Sequence, residues 1–174
     1  MALRDIPKEA AYCREALRLG AASVADVVSW SDLVIAESPM PDIAFIQLSS
    51  MGKASPLDVL HVLQALSETV SALEALPEVL ALAHAKLAAD PGYARVLARA
   101  LYGIYVSCGY EVPEELRDIG WFDDAFDLAE QGTYGTADGV REELLRFTKQ
   151  FAECANDGSK PTAPPWPRSD EPAA

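Results

Sequence analysis

Basic side chains are scarce in this chain. It holds 14 lysines and arginines against 27 aspartates and glutamates, for a formal net charge of −13 at pH 7. Between Leu19 and Glu78 the only base is Lys53, and residues 118–130 contain none. Nucleic acids and anionic membrane surfaces both call for a cationic face. Basic patches interleaved with aromatics are absent, so neither partner is expected. Histidine is nearly missing too, with His61 and His84 alone. Three dispersed cysteines, Cys13, Cys108 and Cys154, form no CxxC pair. Together they give no metal-ligand spacing, and no metal or other cofactor is expected. An odd number of thiols set in apolar helical patterns suits a reducing cytoplasm.

Long apolar runs are also lacking. The greasiest stretches are interrupted by Pro77, His84, Lys86 and Asp90, too early for a membrane span. The N-terminal MALRDIPKEAAYCREAL turns polar at its fourth residue and has no signal-peptide apolar region. No segment alternates convincingly as a strand.

What is present is helical periodicity over a chain that is 50% apolar, enough for a packed core. Asp5 and Pro7 open a first helix, closed by Gly20, with Ile6, Ala10, Cys13 and Leu17 inward. Ser23 and Asp26 form a capping box for a second, which turns Val24, Val27, Val28, Val34 and Ile35 inward together with Trp30 and ends at the prolines of ESPMP. A short segment at Ile43–Leu48 follows. Ser55, Pro56 and Asp58 then start a helix apolar on most sides, hence mostly buried. Pro77 marks a fresh start. Asp90 and Pro91 open the helix expected at the centre of the fold, with Tyr93, Val96, Leu97, Leu101 and Ile104 inward and Gly109 as its stop. After a short piece at Pro113, an acidic helix runs from Trp121 to Gln131, and Thr136 caps the last helix. From Asn156 the composition turns to Pro, Ser, Asp and Lys. The expected fold is all-α, a compact single-domain array of about seven to eight helices over residues 1–155, with a disordered Pro-rich tail at 156–174. PPWPR within that tail reads as a solvated segment, or else as one that docks in an aromatic groove.

The charge is concentrated. Residues 111–143 carry eleven acids and only Arg117 and Arg141 as bases. On the acidic helix, Phe122, Ala125, Phe126 and Ala129 point inward while Asp123, Asp127 and Glu130 line the other side. A solvated helix face usually mixes both signs. This one does not, which favours a binding surface for a basic partner. Asp118, Asp123, Asp124, Asp127 and Glu130 form the candidate contact surface, with Trp121 as apolar anchor. Asp26, Asp32, Glu37 and Asp42 form a rival surface.

Enzyme signals are weaker. DDAFD, Asp123 to Asp127, matches the DDxxD string of class I prenyl-diphosphate and terpenoid synthases, where carboxylates one turn apart hold magnesium. No second metal-binding helix accompanies it. His61 beside Asp58 has no nucleophile near it in sequence and reads as a surface histidine. GTYGTADG matches no phosphate loop and reads as a turn and a cap. Arg95 and Arg99, one turn apart, are expected to pair with acids of another helix, with binding of an anion as the alternative. No catalytic residue is assigned.

Two stretches carry a resemblance. ADVVSWSDLVIAESPMPDIAFIQLS followed by SPLDVLHVLQAL, with Trp30, Ser31 and Asp32 before a proline loop and Ile46, Gln47 and Leu48 after it, is similar to small helical immunity proteins of bacterial polymorphic-toxin and contact-dependent-inhibition systems. GWFDDAFDLAEQGTYGTADGVREELLRFTKQF resembles the C-terminal half of such proteins. The resemblance covers about residues 21–151. It implies a cytoplasmic inhibitor with no chemistry of its own, which neutralises a cognate and basic toxin domain by direct binding. A helical adaptor that uses an apolar groove is the alternative, and a small magnesium enzyme built on Asp123 and Asp127 a third. The sequence assigns no oligomeric state.

Overall fold

The computed structural model describes residues 4–156 and 164–166. Among them are eight α-helices, one 3-10 helix and no strand, the all-α class that the periodicity indicates. The chain divides into two compact units, Met1–Ala75 with Thr162–Ala174, and Leu76–Pro161. This is a finer organisation than the one domain expected from composition.

The first unit holds α1 (Ile6–Arg18), α2 (Val24–Glu37), α3 (Ile43–Ser49) and α4 (Pro56–Leu66). Asp5 accepts the Lys8 N–H at the start of α1, and Ser23 and Asp26 make both bonds of the capping box of α2. α1 packs on α4 and α2 on α3. The small buried residues Ala10, Ala11, Cys13 and Ala16 let α1 lie deep in this unit. Trp30 is fully buried, edge-on to Phe45 at 5.3 Å, and its indole N–H donates to Glu9 Oε2 at 2.7 Å.

Two features of α1 were not legible in the pattern: Arg14 and Glu15 are both buried. Arg14 Nε donates to Glu15 Oε1 at 2.6 Å, and its other nitrogens reach Ser67 Oγ and the Val70 carbonyl. Arg14, oriented by Glu15, therefore fastens α1 to the chain leaving α4. Conversely, α4 is less buried than its apolar composition suggests. Only Val59 and Leu63 are buried, and Leu57 stands exposed.

Pro164–Trp166 lies with this unit. Trp166 is buried, its ring 5.6 Å from that of Tyr12. This corrects the solvated reading of PPWPR at its tryptophan: a large apolar ring gains more from α1 than from water. The rest of the expected disordered tail beyond Asn156 lies outside the described residues.

The unit boundary falls inside α5 (Ala72–Ala89), between Ala75 and Leu76. Pro77 is an interior residue of this helix, not a fresh start. Ser71 and Glu74 cap the helix reciprocally, one turn before the proline. Pro77 then forgoes a single hydrogen bond, to the Leu73 carbonyl, while the surrounding packing holds the helix.

In the second unit, α6 (Tyr93–Ser107) packs against the 3-10 helix Glu114–Gly120, α7 (Phe122–Glu130) and α8 (Ala137–Asn156). Leu97, Leu101 and Ile104 are fully buried as expected, but Val96 is exposed, and Ala94 and Ala98 take the inner face. Gly109 ends the helix in the left-handed region at φ 67°, and Thr136 caps α8 through the Gly139 N–H. His84 on α5 is held by Thr148 of α8 at 2.9 Å, a packing role.

Candidate functional site

α7 is short and sharply two-sided. Phe122, Ala125 and Phe126 are buried, with Phe122 against Phe147 of α8 at 5.3 Å. The spacing of 123, 127 and 130 sets three carboxylates on one stripe of the helix. That stripe flanks α6, and Arg95 of α6 reaches into it.

The Arg95 guanidinium donates to Asp123 Oδ1 at 2.8 Å, to the Asp123 carbonyl at 2.9 Å, and to Asp127 Oδ1. It also lies 3.6 Å from Glu130 Oε1, and its plane covers the Phe126 ring at 5.7 Å. Arg99 adds a longer contact to Asp123 at 3.8 Å. The expected pairing of Arg95 and Arg99 with acids of another helix is present. The acids they engage are three of the proposed contact residues. Asp123, 14% exposed, is drawn into a structural clasp between α6 and α7. Asp127 and Glu130 remain about half exposed but share the cation. The three carboxylates expected to be open are thus partly engaged: Arg95 takes up Asp123 and is shared with the half-exposed Asp127 and Glu130. For the magnesium reading, a guanidinium stands between the two carboxylates that would hold the ion. Among the described residues, no three of His, Cys, Asp and Glu are grouped to hold a metal.

The other three expected contact residues are placed differently. Asp118, Trp121 and Asp124 follow one another at intervals of three across the junction of the 3-10 helix and α7. Asp118 and Asp124 are exposed, and Trp121 is 44% exposed despite its size. Asp124 makes no ion pair among the described residues. Asp118 meets only the exposed Arg117, at 3.8 Å, a contact too wet to neutralise it. Asp118 and Trp121 open onto a cleft of about 490 Å³ whose far wall is Glu143, Arg146 and Gln150 of α8. Phe122 and Phe147 form its floor. Glu143 is one of the eleven acids of residues 111–143, and its position in the sequence does not place it in this cleft. Only the packing of α7 on α8 brings it beside Trp121.

The rival acids of the first unit have local duties. Asp26 belongs to the capping box, Asp32 accepts from Ser49 Oγ, Glu37 pairs with Arg4 at 2.7 Å, and Asp42 caps α3. The cysteines differ in setting. Burial, with Glu9 and Asp26 nearby, pushes the Cys13 thiol well above its ordinary value, and Cys154 is exposed. No helix among the described residues is long and apolar enough to cross a membrane. No protein family, curated protein or solved structure matches the chain.

Proposed function

We propose that this chain is a cytoplasmic immunity-type protein of a bacterium, which neutralises a basic toxin domain by direct binding and performs no reaction itself. The observation that carries the reading is the face around Trp121. A large, partly bare aromatic stands between Asp118 and Asp124 at the mouth of a cleft walled by Glu143, Arg146 and Gln150. Aromatic anchors within a charged surround supply binding energy, while the charges set association rate and partner choice. Arg95 holds the platform rigid from behind by tying α7 to α6. The resemblance of residues 21–151 to helical immunity proteins points the same way.

The test is protection and binding against the toxin-like product of the adjacent reading frame. Asp118→Lys, Asp124→Lys and Glu143→Lys together should slow association about tenfold or more with little change in thermal midpoint. Trp121→Ala should act instead on dissociation, by about tenfold. Wild-type binding should weaken as salt rises. Unchanged protection by the triple variant, or an affinity indifferent to salt, rejects this face and with it the charge-led mechanism.

A further inference from the structure

The first unit contains an open groove of about 500 Å³, distinct from the acidic face of the second unit. Ile6, Val34, Phe45 and Leu66 make its walls, and Pro39 and Pro41 stiffen one edge. Met40, between those prolines, is 88% exposed, and Ile43, just after the lining residue Asp42, is 79% exposed. The apolar surface therefore continues out of the groove over its lip. An open groove whose apolar lining passes into exposed apolar residues at its edge suits the apolar side of a helix laid into it.

The charges around it select the occupant. Among the described residues, Arg4 is the one base of the lining, and it is bound to Glu9 at 2.9 Å and to Glu37 at 2.7 Å. Glu37 and Asp42 are the acids of the lining, both exposed. Two exposed lining carboxylates thus stand against one guanidinium that Glu9 and Glu37 already engage, and the surplus is negative. An acidic or neutral apolar segment would leave that surplus unmatched, and a second copy of this chain would bring more negative charge to it. We infer that this groove docks an amphipathic helical segment of a partner protein whose apolar side carries leucine-like residues and whose flanks are lysine or arginine. The inference does not rest on the toxin-binding reading, and it concerns a different unit.

The test uses the full chain and a synthetic peptide of about fourteen residues, leucines at helical spacing on one side and lysines elsewhere. A twin carries glutamate in place of lysine. Calorimetry should give micromolar binding of the lysine peptide and binding at least about tenfold weaker for the twin. Ile6→Lys should reduce affinity about tenfold or more by placing a cation on the wall. Glu37→Gln with Asp42→Asn should also weaken binding and keep the α3 cap, since asparagine caps as well as aspartate. Asp118→Lys with Asp124→Lys should leave peptide binding intact, which separates this groove from the other face. Equal binding of the two peptides, no binding of either, or binding abolished by the Asp118 and Asp124 changes but not by Ile6→Lys would overturn the proposal. Self-association that Ile6→Lys abolishes, without peptide binding, would assign the groove to a second copy and overturn it equally.

Discussion

Arg95 determines how much of the acidic helix is free to act. One guanidinium takes up Asp123 from its side chain and its carbonyl, reaches Asp127 and Glu130, and lies on Phe126. The more exposed partners contribute little because solvent screens them. Asp123 matters most, since its carboxylate is largely withdrawn from water. Arg95→Met should lower stability by about 1–3 kcal/mol in denaturant melts, and Arg95→Lys should recover only part, because a point charge cannot span two carboxylates and a carbonyl. Asp127→Asn should cost less than Asp123→Asn. Equal costs for the two asparagine variants would contradict the assignment of Asp123 as the clasp.

At the scale of elements, the acidic platform depends on how tightly the 3-10 helix lies on α6. Gly120 is a point of close approach. A Cβ there would fall 2.5 Å from the Cδ1 and Cε1 atoms of Tyr105, whose ring is itself held edge-on by Tyr110 at 5.3 Å. Gly120 thus serves by its lack of a side chain. Gly120→Ala should force the Tyr105 ring or the 3-10 helix to move and destabilise by about 1–3 kcal/mol. The same displacement would shift Asp118 and Trp121, so partner binding should weaken along with the melting midpoint. Gly52→Ala, with nothing within 4 Å of the added carbon, is the matched control. A midpoint unchanged by Gly120→Ala would show that the element is not clamped there.

For the molecule as a whole, the charge balance and the buried acids combine in alkali. The chain starts at −13, so further loss of protons adds self-repulsion. Burial pushes the Cys13 thiol above its ordinary 9.0 and the Tyr93 phenol above its ordinary 10.0. In the unfolded chain both groups lose protons at those ordinary values, while the folded chain still holds them. Their stabilising contribution is complete below the ordinary values and declines as pH climbs past them. Thermal midpoints should therefore fall from about pH 9 upward, and Tyr93→Phe should flatten the decline above about pH 10. Added salt should recover the repulsive part of the loss and leave the part owed to burial. A midpoint flat from pH 8 to 11 would refute both origins.

Helix positions were readable from the chain because caps, prolines and apolar spacing act over a few residues. Ser23 with Asp26, Ser55 with Asp58 and Thr136 with Gly139 all form the bonds their spacing implies. The charge excess and the two-sided character of α7 are local in the same sense. Pairing across helices is not local. That Arg95 meets Asp123, that Arg14 reaches Ser67, that Trp166 covers Tyr12, and that Glu143 stands beside Trp121 all depend on partners tens of residues or more away along the chain. Composition and periodicity established an acidic, all-helical chain. Packing decided which carboxylates were consumed within the fold and which stayed open, because a charge is neutralised by whatever lies within a few ångströms in space, however distant along the chain.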